Sequence, residues 1–178
     1  MRTKDIAFLS MLSALAFVAV MLVKIPIMPS APFLKFDVKD AVILIGGLLY
    51  GPLAGLGVSF IVALLQMVLT GEAGIIGFVM NLLSTASFVC TASAVYKFNK
   101  SRKGLALGLA VGCVLMTASM LMWNYIVTPI FMGVPRHVVG SMLLTVFLPF
   151  NLIKGAINSV IVLLCLRPVL AAVSAMES

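Results

Sequence analysis

The sequence predicts an all-α integral membrane protein, a compact bundle of six transmembrane helices with both termini on the cytoplasmic side. Three observations predict it. Of the 178 residues, 63% are hydrophobic and only 10% are charged, against about 45–50% and about 25% in a soluble domain. The apolar residues gather in runs, most of them near the roughly 20 residues that a helix needs to cross the hydrocarbon layer. Most of the 12 lysines and arginines stand at the ends of those runs. Lipid is the solvent such a chain requires. Its length allows one membrane domain, residues 1–178, with no room for a soluble module.

The elements follow in order. The first helix is expected over Ile6 to Val23. Its basic start resembles a secretory signal, but the apolar run is long and lacks a clear cleavage site, so it reads as a retained span. KIPIMPSAPFLKFDVKD then places Pro26, Pro29 and Pro32 at three-residue spacing. Prolines remove backbone donors and disfavour helix, which predicts an extended outer loop over about 24–37. A short helix is expected over Val38 to Tyr50, a turn at Gly51-Pro52, and a third helix over Leu53 to Leu69. After a turn at 70–74, a fourth helix covers Ile75 to Tyr96. The polar stretch 97–104 leads to a fifth, Leu105 to Ile126. The segment 127–148 opens with VTPIFMGVPRH, which contains Pro129, Gly133 and Pro135. It reads as a broken outer segment, interfacial or re-entrant. The sixth helix is expected from Pro149, a residue favoured in a first turn, to about Arg167.

Orientation follows from basic residues in the short loops. Arg2, Lys4, Lys97, Lys100, Arg102, Lys103 and Arg167 fall on one side, and Lys24, Lys35, Lys39 and Arg136 on the other. The richer side is the cytoplasm, so the proline-rich loop, the 70–74 turn and 127–148 face outward. The same placement explains the net charge of +7 without nucleic acid, because no basic amphipathic face exists. Gly47, Gly51 and Gly55, and Gly104, Gly108 and Gly112, recur at four-residue spacing. Small residues so spaced let helix backbones approach closely in lipid.

Polar residues inside apolar runs mark the candidate site. PFNLIKGAIN, residues 149–158, carries Asn151, Lys154 and Asn158 on one helical stripe. Taken alone, Lys154 could snorkel to the outer interface. Asn124, near the outer end of the fifth helix, and Asn81, about two turns into the fourth, shift the balance. Each would be unfavourable facing lipid. Turned inward they surround a pocket open to the outside, with Phe33, Leu34 and Phe36 of the loop as its cover. Asp37 and Asp40 stand at the start of the second helix, where carboxylates fit an N-terminal cap. Such a pocket suits a flat, largely apolar ligand with several carbonyl or hydroxyl groups.

Several chemistries find no support. The phosphate-loop pattern is absent, since Lys103-Gly104 and Lys154-Gly155 have the reverse order. Cys90, Cys113 and Cys165 are far apart and read as small buried hydrophobes, with no metal site. His137 lies in a loop without a nucleophile or carboxylate to complete a catalytic set. No enzyme, resident cofactor or metal is expected. Few intramembrane carboxylates leave ion coupling without carriers. A binding bundle without an engine implies that another polypeptide supplies one.

FLKFDVKD, IGGLLYGPLAG, GFVMNLLSTASFV, WNYIVTPIFMGVPR and LPFNLIKGAIN together resemble the riboflavin-binding S components of energy-coupling factor (ECF) transporters, over about Leu12 to Arg167. The resemblance implies a prokaryotic multi-pass plasma-membrane protein that takes riboflavin from outside. It implies delivery across the membrane with a T protein and two cytoplasmic ATPases. It places Asn151, Lys154 and Asn124 at the ligand, with Asn81 in the pocket lining. Leu34, Phe36 and Asp37 belong to the closing loop. Ser10 and Ala14 stand where the family carries a small-residue patch for docking the T protein. Other vitamins, such as thiamin or pantothenate, remain as ligands to be tested, and a self-sufficient carrier remains as another mode of transport.

Overall fold

The computed structural model describes residues 3–71 and 74–177. Arg2 of the topology count, and Glu72 and Ala73 of the expected turn, lie outside them. Among the described residues the order is α1 Thr3–Leu22, β1 Ile25–Pro26, β2 Lys35–Phe36, α2 Lys39–Tyr50, α3 Pro52–Thr70, α4 Gly74–Phe98, α5 Arg102–Met132, α6 Arg136–Met142 and α7 Leu148–Glu177. A π-helical turn, Leu143–Phe147, joins α6 to α7. Five helical stretches are long and apolar enough to cross a membrane: α1, α3, α4, α5 and the continuous rod Arg136–Val173. The sixth, α2, has 12 residues. It rises about 18 Å, short of the roughly 30 Å hydrocarbon layer.

The expected break over 127–148 is corrected. α5 runs through Pro129 to Met132, so only residues 133–135 separate it from α6. A proline inside a helix costs one backbone bond and crowds the preceding turn. Pro129 falls in the last turn, where Gly133, at φ 65°, already closes the helix by donating its N–H to the Pro129 carbonyl. The last helix, α7, begins at Leu148, one residue before the expected Pro149, but as the continuation of a rod that starts at Arg136. Pro149 has no N–H to offer the carbonyl of Thr145, and the π turn spans that gap while the rod continues.

The proline-rich loop is less open than expected. Ile25 pairs with Phe36 and Pro26 with Lys35, antiparallel, and backbone bonds from Ala31 to Met28 and from Leu34 to Ala31 turn the chain between them. The result is a small folded hairpin across one end of the bundle.

Glycines set how tightly the helices pack. A methyl group on Gly55 of α3 would come within 3.0 Å of the Gly47 Cα of α2 and 2.6 Å of Val89 on α4. On α5, a methyl on Gly108 or Gly112 would press on the backbone carbonyls of Ala92 and Phe88 of α4. Gly51 acts through its backbone instead, making the reversal between α2 and α3 at φ 97°. The core lies between these helices and includes Leu12, Ala16, Ile43, Leu44, Val62, Phe88, Val89, Met116 and Val162. Leu22, Leu53, Ile75, Val114 and Leu164 project outward, as a lipid-facing surface requires.

Candidate ligand-binding site

Chain direction brings one set of helix ends together. The C-terminal part of α3, the first turns of α4, the last turns of α5 and the first turns of α7 meet under the hairpin. The basic stretch from Lys97 to Lys103, between α4 and α5, lies at the opposite end. The converging ends enclose a cavity of about 370 Å³, within the usual range for small-molecule sites.

Six of the seven residues expected at the ligand line this cavity: Asn81 on α4, Asn124 on α5, Asn151 and Lys154 on α7, and Leu34 and Asp37 from the loop. Phe36 does not. It is buried in β2 away from the cavity, while its neighbour Lys35 lines it. Successive side chains of a strand point to opposite faces, so the two cannot share one. The aromatic cover is Phe33, whose ring centre lies 5.9 Å from that of Phe131 and 6.4 Å from that of Phe147.

The asparagines border one cavity but do not bond to one another. Asn124 donates to the Met120 carbonyl at 2.7 Å and accepts from the Thr128 hydroxyl at 2.8 Å. Asn151 donates to the Phe147 carbonyl at 2.8 Å. These bonds reach back one helical turn, a habit of short polar side chains, and they hold each amide in a defined orientation. Asn81 donates to the Gln66 side chain of α3 at 2.5 Å. Gln66 and Thr128, both lining the cavity, escape the sequence reading. Gln66 does leave a signal, as an amide inside the apolar run IVALLQMVL.

Lys154 does not snorkel. It is 6% exposed and turned into the protein, with Nζ 3.0 Å from Asp40 Oδ2 and 3.6 Å from Asp37 Oδ2. Lys39, 1% exposed, faces the same carboxylates, at 3.0 Å from Asp37 and 3.4 Å from Asp40. Two buried ammonium groups and two buried carboxylates thus balance in charge. The Thr85 hydroxyl of α4 completes the set by donating to Asp40 Oδ1 at 2.7 Å. Burying any one of these charges alone would be costly, and mutual pairing offsets part of that penalty.

The expected capping of α2 by Asp37 or Asp40 is corrected for the same reason. The N-cap position is Val38 and no side chain of the cap closes the helix. The carboxylates are committed to the lysines. The acceptor comes from α7: Asn158 Oδ1 takes the Ala41 N–H at 3.0 Å. Far from this end, Ser10 and Ala14 lie on the exposed face of α1, where Ser10 donates to the Ile6 carbonyl.

The comparisons with known proteins agree with this architecture. Residues 4–166 match the family model for the substrate-specific component of ECF transporters. The chain is 34% identical to the riboflavin transporter FmnP of Bacillus subtilis, over 90% of this chain and 89% of that protein. It is 32% identical to the riboflavin transporter RibU of Staphylococcus aureus, over 93% and 90% respectively. A solved structure of the S component of a bacterial ECF transporter superposes with a TM-score of 0.84 at 33% identity, covering 97% of this chain and 99% of that one. The relatives are transporters and not enzymes. The match over residues 4–166 and the shared helical frame assign the chain to the family of ECF transporter substrate-specific components.

Proposed function

We propose that this chain is the riboflavin-binding subunit of an ECF importer. It takes the vitamin from outside and delivers it with a T protein and two cytoplasmic ATPases. The observation that carries the reading is the cavity of about 370 Å³ into which Asn81, Asn124, Asn151 and Lys154 converge from three helices beneath a folded loop. Riboflavin has a flat aromatic body with carbonyl edges and a polyhydroxyl chain. Asn124, Asn151 and Lys154 supply hydrogen bonds for its polar edges, and Asn81 extends the polar wall. Phe33 and Leu34 cover the ring, and Asp37 closes the site at the root of the loop. An ammonium has three N–H donors. Lys154 meets Asp40 and Asp37 as ion-pair contacts at 3.0 and 3.6 Å, and its ammonium keeps donor capacity for a ligand carbonyl. Behind the cavity wall, the cluster of Lys39, Lys154, Asp37 and Asp40 is neutral as a group, with Lys154 and Asp37 reaching the cavity. The names of the relatives as riboflavin transporters support the same ligand.

In this reading both termini and the basic stretch from Lys97 to Lys103 lie in the cytoplasm of a prokaryotic cell, as the distribution of basic residues favours. The helices together form a six-helix membrane domain in which α2 packs short among the five longer stretches. Ser10 and Ala14, small and exposed on α1, serve as the docking patch for the T protein.

The deciding experiment is an absorption spectrum of the protein purified in detergent without added ligand, followed by extraction and a fluorescence-quenching titration. A flavin spectrum with about one riboflavin released per chain is expected. A colourless protein that fails to quench riboflavin, yet binds thiamin or pantothenate, would move the site to another vitamin. Uptake by vesicles containing this chain alone would remove the T protein and ATPases from the mechanism.

A further inference from the structure

Asn158 does not line the cavity, and it is 1% exposed. Its side chain nevertheless makes three bonds. Oδ1 accepts the Ala41 N–H at 3.0 Å, and Nδ2 donates to the Lys154 carbonyl at 3.0 Å and to the Asp37 carbonyl at 3.4 Å. A helix start leaves its first N–H groups without intrahelical acceptors. For α2 one of those groups is satisfied from α7, 117 residues further along the chain. Asp37 is the last loop residue on the cavity, and Lys154 is the cation on its inner wall. One amide therefore ties together the root of the covering loop, the first turn of α2 and the α7 turn that carries Lys154.

Resting on the riboflavin reading above, we propose that Asn158 is a positioning residue for ligand retention. It fixes the loop root to α7, so that the loop can leave the cavity only by breaking these bonds. The ion pairs of Lys154 with Asp37 and Asp40 span the same junction, but they alone leave the α2 backbone unpaired. Ser159, the next residue, bonds only back to the Gly155 carbonyl, so the tie belongs to Asn158 and not to the helix turn in general.

The test compares the full-length wild type with Asn158→Leu in detergent by stopped-flow riboflavin quenching, together with hydrogen exchange at the start of α2. Loss of buried bonds worth about 1 kcal/mol each gives a release rate raised roughly tenfold or more. The arrival rate should stay within about twofold, and about one riboflavin should still bind per chain. The Ala41 amide should exchange faster while the middle of α2 does not. A release rate equal to wild type overturns the proposal. So does a drop in bound riboflavin per chain with an unchanged release rate, which would mark a purely structural role. Should Asn158→Leu not be recovered folded, Asn158→Ala carries the same expectations. If the wild type itself binds no riboflavin, the ligand reading fails separately. The Ala41 exchange then decides the tie alone, and unchanged exchange in the variant overturns it.

Discussion

Lys154 of α7 and Asp40 of α2 face each other at 3.0 Å inside the bundle, both nearly sealed from solvent. Lys154 therefore has two roles, one toward the proposed ligand and one toward the fold. Lys154→Ala leaves two buried carboxylates with one lysine. The expected result is a stability loss of about 3–5 kcal/mol together with riboflavin binding weakened at least about tenfold. The double variant Lys154→Met with Asp40→Asn restores the charge balance with Lys39 and Asp37. It should regain most of the thermal stability without regaining affinity. Thermal unfolding and quenching titrations separate the two roles, and full recovery of affinity would reduce Lys154 to a structural ion.

The loop is held over the cavity by Phe33 against Phe131 and Phe147. Aromatic pairs contribute about 0.5–1.5 kcal/mol each beyond area burial. Loss of both pairs in Phe33→Ala should therefore speed riboflavin release by roughly 5- to 150-fold while changing arrival little. Stopped-flow quenching reads both rates, and a release rate unchanged from wild type would show that the ring is not part of the cover.

Close packing of α2 on α3 rests on Gly55, whose added methyl would press on Gly47 and on Val89. Gly55→Ala should cost about 1–3 kcal/mol by overpacking. Val89→Ala in the same chain should restore part of this loss and not all, because the Gly47 backbone stays in the way. Melting midpoints of the single and double variants check the order.

Ser10 and Ala14 are exposed on α1 and distant from the cavity. Ser10→Leu or Ala14→Leu should leave riboflavin affinity unchanged and abolish co-purification with the T protein. Retained co-purification would move the docking surface elsewhere.

The order of the apolar helical stretches was legible in the sequence because runs of apolar residues and their proline and glycine punctuation are local signals. Asn81, Asn124, Asn151 and Lys154 were legible as site candidates for a similar reason: polar groups in an apolar run have to be satisfied somewhere. The extent of α5 past Pro129 and the start of the last rod were not, since proline's local preference is overridden when the rest of the helix packs.

By itself the sequence determined a membrane bundle, its basic and polar ends, and which side chains could not face lipid. Only the tertiary structure decided their partners. Asp37 and Asp40 look like helix caps in sequence, yet Lys39 and Lys154 claim their charges, and Asn158 caps α2 from α7. A partner 117 residues away leaves no local trace, because pairing depends on the distance between elements and on the need to neutralise buried charge, which arises only once the helices have packed.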